Sequence, residues 1–188
     1  MQQLEIRSSY LYTPLFCEEN IWQLARQLVG EGADVATLQV IFISNAARQV
    51  VLFNQRNGTD LGHVVWDYHV VLRRRDGEGD CIYDLDTTLP LPCDSRDYLE
   101  ATFGLQGELP EGLRATLRLV PAGEYLRQFH SDRRHMEGVV PRDAFPPWPA
   151  ITPRGAGAIR LKDYWDMARQ LDDDSRVVSV ETLLQAEL

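Results

Sequence analysis

The sequence predicts an α+β domain in which an antiparallel sheet packs against a helix that begins at a cysteine. Three observations point there. Val64–Leu72 and Cys81–Asp86 read as strands and flank Asp76-Gly77, a dipeptide that signals a hairpin between such runs. Leu38–Ser44 and Val50–Phe53 are shorter runs, the first almost continuously apolar, as a buried strand is. Ile21, Leu24, Ala25 and Leu28 recur at helical spacing just after Cys17.

In chain order, residues 1–13 read as an irregular arm. The helix follows, runs to about Val29, and is stopped by Gly30 and Gly32. Glu18 and Glu19 sit in its first turn, where carboxylates complement the dipole. Cys17 stands at its N-terminus, where orphan N–H groups favour an anion and would lower the thiol's pKa. The polar loop 54–60 leads into the Val64–Leu72 strand. Side chains alternate there, so Val65, Asp67, His69 and Val71 share one face and Trp66, Tyr68 and Val70 the other. A lone imidazole among apolar neighbours is more often a core histidine than a catalytic one.

The hairpin supplies a geometric test. With Asp76-Gly77 as a two-residue type I′ turn, Arg75 faces Glu78 and His69 lies opposite Asp84, within reach of an imidazole–carboxylate hydrogen bond. A four-residue loop, Asp76–Gly79, sets Asp86 opposite instead, and a bulge breaks the simple count. Leu89-Pro90-Leu91-Pro92-Cys93 is extended and proline-stiffened. Ser95–Phe103 reads as a helix capped by Ser95, Ala115–Val120 as a strand and Glu124–His130 as helical. Ser131–Ile151, with four prolines, is a long connection, Leu161–Leu171 an amphipathic helix and Asp172–Asp174 a solvated turn. Val177–Val180 and Glu181–Leu188 close the chain as strand and helix.

Composition narrows the class. At 188 residues, 44% of them hydrophobic and 25% charged, the chain reads as one globular domain, 1–188, with a real core. A net charge of −9 argues against nucleic acid or an anionic membrane as partner. No apolar run has the length of a membrane span, and Met1–Glu5 lacks the basic-then-apolar order of a secretory signal. Cys17, Cys81 and Cys93 are a poor disulfide framework and suit free thiols in a reducing cytoplasm. Cys81 and Cys93 read as structural. His63, His69 and His135 lack metal-site spacing, so no metal is expected.

A thiol at a helix N-terminus, a histidine on a strand and a carboxylate beside it are the parts of a Cys-His-Asp triad: nucleophile, base and orienting acid. Their order, Cys17, His69, then Asp84, matches the papain-like and transglutaminase-like arrangement.

The chain also resembles the protein N-terminal glutamine amidohydrolase family. The matching stretches are Cys17–Trp22, Ile41–Asn45, Val65–Leu72, Ile82–Thr87 and Leu89–Cys93, with weaker ones at Ser131–Met136 and Pro146–Pro149. They run in order across most of the chain. Arg134 stands where a smaller polar residue is expected, and the stretch between His69 and Asp84 is slightly shorter than in animal members. The resemblance implies that Cys17, His69 and Asp84 are catalytic and that the substrate is a polypeptide with a free N-terminal Gln. Its side-chain amide would become a carboxylate through a thioester, with no metal or organic cofactor. A cytoplasmic monomer is expected, and in eukaryotes the resemblance implies a product that feeds N-terminal degradation signalling. Glu18, Glu19 and Asp67 are candidates to hold the substrate α-ammonium, and Ser44 and Asn45 candidates to line the site. Trp66 and Tyr68 are expected in the core. Competing readings are a cysteine peptidase, a transglutaminase-like acyl transferase and a silent homologue that binds N-termini.

Overall fold

The computed structural model describes residues 9–59, 62–153 and 157–185. Most of the expected arm, residues 1–8, lies outside them. Helix α1, Cys17–Gly30, follows the arm. Then come strands β1 (Leu38–Ser44), β2 (Val50–Phe53), β3 (His63–Trp66), β4 (His69–Asp76), β5 (Gly79–Tyr83) and β6 (Cys93–Asp94). Helix α2 is Ser95–Phe103, β7 Thr116–Pro121, α3 Ala122–Gln128, β8 Phe129–His130, β9 Ile159–Arg160, α4 Leu161–Trp165, β10 Arg176–Ser179 and α5 Val180–Gln185. The main sheet runs β10-β7-β1-β4-β5-β6, antiparallel at every pairing. Among the described residues no helix is long and apolar enough to cross a membrane.

Side-chain alternation divides the sheet's apolar residues between two cores. Val40, Phe42, Val70, Leu72, Tyr83 and Val120 pack against Ile21, Leu24, Ala25 and Leu28 of α1, with Tyr125 of α3 and Tyr164 of α4. Ile41, Ile43, Val71, Ile82, Leu117 and Leu119 face the other way, onto Tyr98, Leu99 and Phe103 of α2, Leu183 of α5 and Val50 and Leu52 of β2. The period of two along each strand is therefore what makes a layer on either side.

Five expectations change. Val64–Leu72 is two strands rather than one, and they belong to different sheets. The break falls at Asp67-Tyr68: the Asp67 carboxylate accepts the Tyr68 N–H at 3.0 Å, and Ser44 Oγ donates to the Asp67 carbonyl at 2.7 Å. Side chains thereby occupy the peptide groups that a continuous ladder would use. The hairpin turns one residue later than expected. Asp76 stays in the ladder opposite Gly79, its carboxylate accepting the Glu78 N–H at 2.9 Å, and Gly79 takes φ 150°. Gly77-Glu78 is thus the loop, and the pairing is the one associated with the four-residue alternative.

The cap of α2 is Asp94, which accepts from Arg96 N and Asp97 N, rather than Ser95. Lastly, the helix expected over 161–171 ends at Trp165. Arg118, buried beneath α4, donates to the carbonyls of Tyr164 at 2.9 Å and of Asp166 and Arg169 at 2.7 Å each. Those carbonyls turn toward a guanidinium and leave the helical ladder. Asp173, expected in a solvated turn, is buried beside the same arginine and lies among the carboxylates acting on its charge.

Candidate active site

Cys17 is the first residue of α1, His69 the first of β4, and Asp84 the first after β5. Because α1 lies across β4 through a shared core, the ends of these elements meet at one place. A cavity of about 250 Å³ opens there, with Cys17 and His69 both on its wall. The rest of the wall includes Trp66, Asp67, Tyr68, Asp86, His135 and Trp165. Leu15, also on the wall, sits in the left-handed region at φ 67° two residues before the cysteine. A non-glycine residue held there stores backbone strain.

His69 Nε2 lies 2.8 Å from Asp84 Oδ1, and both side chains are buried. The hairpin count selected Asp84 by a register that does not occur. In the observed register, Asp84 follows Tyr83, the partner of Leu72, so it continues toward Val71 on the same face as His69. The contact is diagonal, within the reach of long side chains on one sheet face. The carboxylate is fully engaged: Oδ1 also accepts the Asp86 N–H, and Oδ2 accepts from Gln55 Nε2 and the Tyr98 hydroxyl, all at 2.9 Å. Burial alone would raise its pKa, but the charge and hydrogen bond of His69, with those of Gln55 and the Asp86 amide, bring it below the ordinary value. For His69 burial acts downward, and the charge and hydrogen bond of Asp84 outweigh it, so the imidazole is raised. Trp66 stacks on the imidazole, rings 13° apart in plane at 6.0 Å, a contact made possible by the strand break between them.

Cys17 departs from expectation. Burial, then the charges of Glu18, Asp86 and Asp84, push its thiol well above the ordinary value, and a hydrogen bond from the Val70 backbone opposes them. The helix terminus does not prevail against burial and three carboxylates. Burial and the neighbouring carboxylates thus favour the neutral thiol over the thiolate.

The remaining candidates separate. Glu19 is wholly buried, and its carboxylate accepts from Ser131 Oγ (2.7 Å), Arg133 Nε and Nη2 (2.8 and 2.7 Å) and Trp148 Nε1 (2.7 Å). It anchors the long 131–151 connection and has no room for a substrate. Glu18 is equally buried, behind Cys17. Asp67 lines the cavity, half exposed and paired with Arg48 at 3.2 Å; Arg48 in turn lies over the Trp165 ring at 4.4 Å. Ser44 and Asn45 do not line the cavity: Ser44 holds the Asp67 carbonyl, and Asn45 Nδ2 donates to the carbonyls of Gln49, Gly112 and Arg114. Tyr68 is in the core as expected and also reaches the cavity wall, whereas Trp66 is only partly buried against the second core and lines the cavity. Arg48, His135 and Trp165 were missed. Only His135 had a signal, its place in the Ser131–Met136 stretch.

Cys17, Cys81 and Cys93 are free thiols. Ligand-type atoms of His69, Asp84 and Asp86 lie within 4.8 Å of one another. Asp84 takes the four donors above, and Asp86 Oδ1 accepts the Tyr12 hydroxyl at 2.5 Å. The cluster is a hydrogen-bonded network around an imidazole.

The model of a family described as N-terminal glutamine amidase matches residues 12–187. The chain is similar to the Homo sapiens protein named protein N-terminal glutamine amidohydrolase, 34% identical over 165 residues, covering 86% of this chain and 80% of that protein. A Bos taurus protein of the same name is 34% identical over the same length. One from Arabidopsis thaliana is 38% identical over 135 residues, covering 68% of this chain and 61% of that protein.

Proposed function

The chain belongs to the N-terminal glutamine amidase family, and from that premise we propose that it hydrolyses the side-chain amide of an N-terminal Gln to give N-terminal Glu and ammonia. The observation that carries this reading is the confined cavity whose wall holds a thiol and an imidazole, the imidazole braced by a buried carboxylate at 2.8 Å.

The chemistry follows from which ring nitrogen is occupied. With Nε2 on Asp84, Nδ1 is the nitrogen that exchanges protons. The thiol is neutral at rest, so it gives its proton to His69 as the sulfur attacks the Gln δ-carbon, and Asp84 stabilises the imidazolium that forms. The Cys17 backbone N–H, at the start of α1 and without a helical partner, is available to the oxyanion. His69 then protonates the departing amine as the C–N bond breaks, leaving a thioester and ammonia. A water deprotonated by His69 attacks the thioester, and the thiol recovers its proton as the acid leaves.

Among the three carboxylates considered for the α-ammonium, Asp67 suits it best. Glu19 is committed to the loop and Glu18 is buried, whereas Asp67 is half exposed on the cavity wall. The reacting δ-carbon must reach deepest, so the α-ammonium and the chain leading from it belong at the exposed rim.

The test is a peptide panel bearing N-terminal Gln, N-terminal Asn, acetylated Gln and internal Gln, followed by ammonia release and mass spectrometry. Only the free N-terminal Gln peptide should gain one mass unit, with no chain cleavage. Cleavage, or deamidation by the Cys17→Ala variant, would overturn the reading.

A further inference from the structure

Among the buried polar atoms near the cavity that lack a hydrogen-bond partner are Glu18 Oε1 and His135 Nε2. They face each other at 3.6 Å, the carboxylate with no exposed surface and the imidazole with little. The other oxygen, Glu18 Oε2, accepts the Tyr68 hydroxyl at 2.9 Å and lies 3.8 Å from Cys17 Sγ. Glu18 thus stands between the thiol and a second histidine, while Cys17, Tyr68 and His135 all reach the cavity. Every element around it contributes a group, β4 supplying His69, on whose imidazole the Glu18 charge acts. Its own helix supplies Cys17 and Glu19, the latter held off by Arg133. The β3–β4 junction supplies Tyr68, the 131–151 connection His135, and α3 the Tyr125 hydroxyl, which donates to Glu18's backbone carbonyl at 2.9 Å.

We propose that Glu18 and His135 hold one proton between them, and that this proton keeps negative charge away from Cys17 so that its sulfur can ionise toward His69. Glu18 is then a positioning residue acting through the thiol, and the idea rests on the amidase reading above. The chemistry of the pair is consistent. Burial raises the Glu18 carboxyl to about 7, against the opposing hydrogen bonds of its own backbone, Tyr68 and Cys17. Burial lowers His135, against the charges of Asp67, Asp132 and Glu19. Just below neutrality the pair accordingly holds one proton and no net charge, and it begins to lose that proton near neutrality itself. Once that proton leaves, a carboxylate stands beside the sulfur and opposes thiolate formation, so activity falls as pH rises.

Glu18→Gln cannot ionise, and Tyr68→Phe removes a donor that favours the ionised carboxylate. Both should move the alkaline limb of kcat/KM upward, Glu18→Gln by a unit or more, which at a fixed pH above the parent's limb is roughly tenfold in rate. Iodoacetamide labelling of Cys17 should likewise be about tenfold faster in Glu18→Gln at mildly alkaline pH. It is followed on the Cys17 peptide because Cys81 and Cys93 are also free. Where Glu18→Gln fails to fold, Tyr68→Phe carries the test with a smaller shift. If the variants that fold lose activity by the same factor at every pH and label no faster, the proposal is wrong. Labelling needs no substrate, so a parent that labels with the expected pH dependence yet deamidates nothing would refute the amidase reading alone.

Discussion

Replacing Asp84 by Asn tests the brace on His69 with little disturbance of shape. Four donors converge on the carboxylate: His69 Nε2, the Asp86 amide, Gln55 Nε2 and the Tyr98 hydroxyl. An asparagine oxygen can serve the first two, leaving its NH₂ toward the others. Gln55 can answer by rotating, since its Oε1 is buried without a partner, and a hydroxyl can turn to accept. The cost to stability should then be about 1–2 kcal/mol. The cost to catalysis is larger, because a neutral amide no longer stabilises the imidazolium. With the charges centred about 4 Å apart and an effective dielectric of about 20, that is about 4 kcal/mol. The expected loss in kcat/KM on a Gln-terminated peptide is roughly a thousandfold. Ammonia release gives the rate and thermal unfolding confirms a folded variant. A folded Asp84→Asn protein within about tenfold of the parent would show that His69 needs no charged partner, and the proton-transfer scheme would fall with it.

Other perturbations separate framework from chemistry. Glu19→Ala leaves Arg133, Ser131 and Trp148 facing an empty site, and should cost about 3–5 kcal/mol in denaturant unfolding; a loss under about 1 kcal/mol would mean the clamp contributes nothing net. Arg118→Met strands three carbonyls beneath α4 and should cost at least about 3 kcal/mol by the same measurement, with parent-like stability refuting its role. Asp67→Asn should raise KM for Gln-peptides by about tenfold with kcat little changed, and an unchanged KM would remove Asp67 from the α-ammonium site. Asp84 is held below its ordinary pKa, so the stability it contributes is full above that value and is lost as pH falls through the folded one. Between about pH 5 and about pH 3 the parent should lose more thermal stability than Asp84→Asn, and parallel losses would contradict the shift.

Where local rules dominate, the sequence was legible. The β1 and β2 bounds, and the start of α1 at Cys17, follow from apolar runs and helical spacing with no long-range partner needed. What escaped was decided by side chains bonding to backbone from a distance. Arg118 ends the expected long helix from about 50 residues away in sequence, and nothing in the 161–171 spacing announces it. Asp67 breaks an otherwise continuous strand by capturing its neighbour's N–H. Asp84 was selected through a turn that does not form. The choice survived because registers differing by two residues keep the same face: the tight turn set Asp84 opposite His69, and the observed one sets it diagonally. A slip of one residue would have reversed the face and set Leu85, which is no carboxylate, opposite His69.

The first turn of α1 shows why composition alone undersells this site. Cys17, Glu18 and Glu19 are consecutive, and successive helical side chains point about 100° apart. Read as sequence, two glutamates after a cysteine complement a helix dipole. In the fold each takes a direction of its own. Cys17 reaches the cavity, Glu18 lies against Tyr68 and His135, and Glu19 meets Arg133, Ser131 and Trp148. The last two directions both lead to the 131–151 connection, which also supplies His135, Met136 and Val139 to the cavity wall. Cys17 and one wall of its pocket are thus tied together by the two residues that follow it. A loss of the Glu19 clamp should therefore loosen the pocket as well as the fold, whereas a change at Glu18 should be felt chiefly in the state of the thiol. That difference follows from two adjacent residues of one type because burial and partners, not residue identity, decide what a carboxylate does.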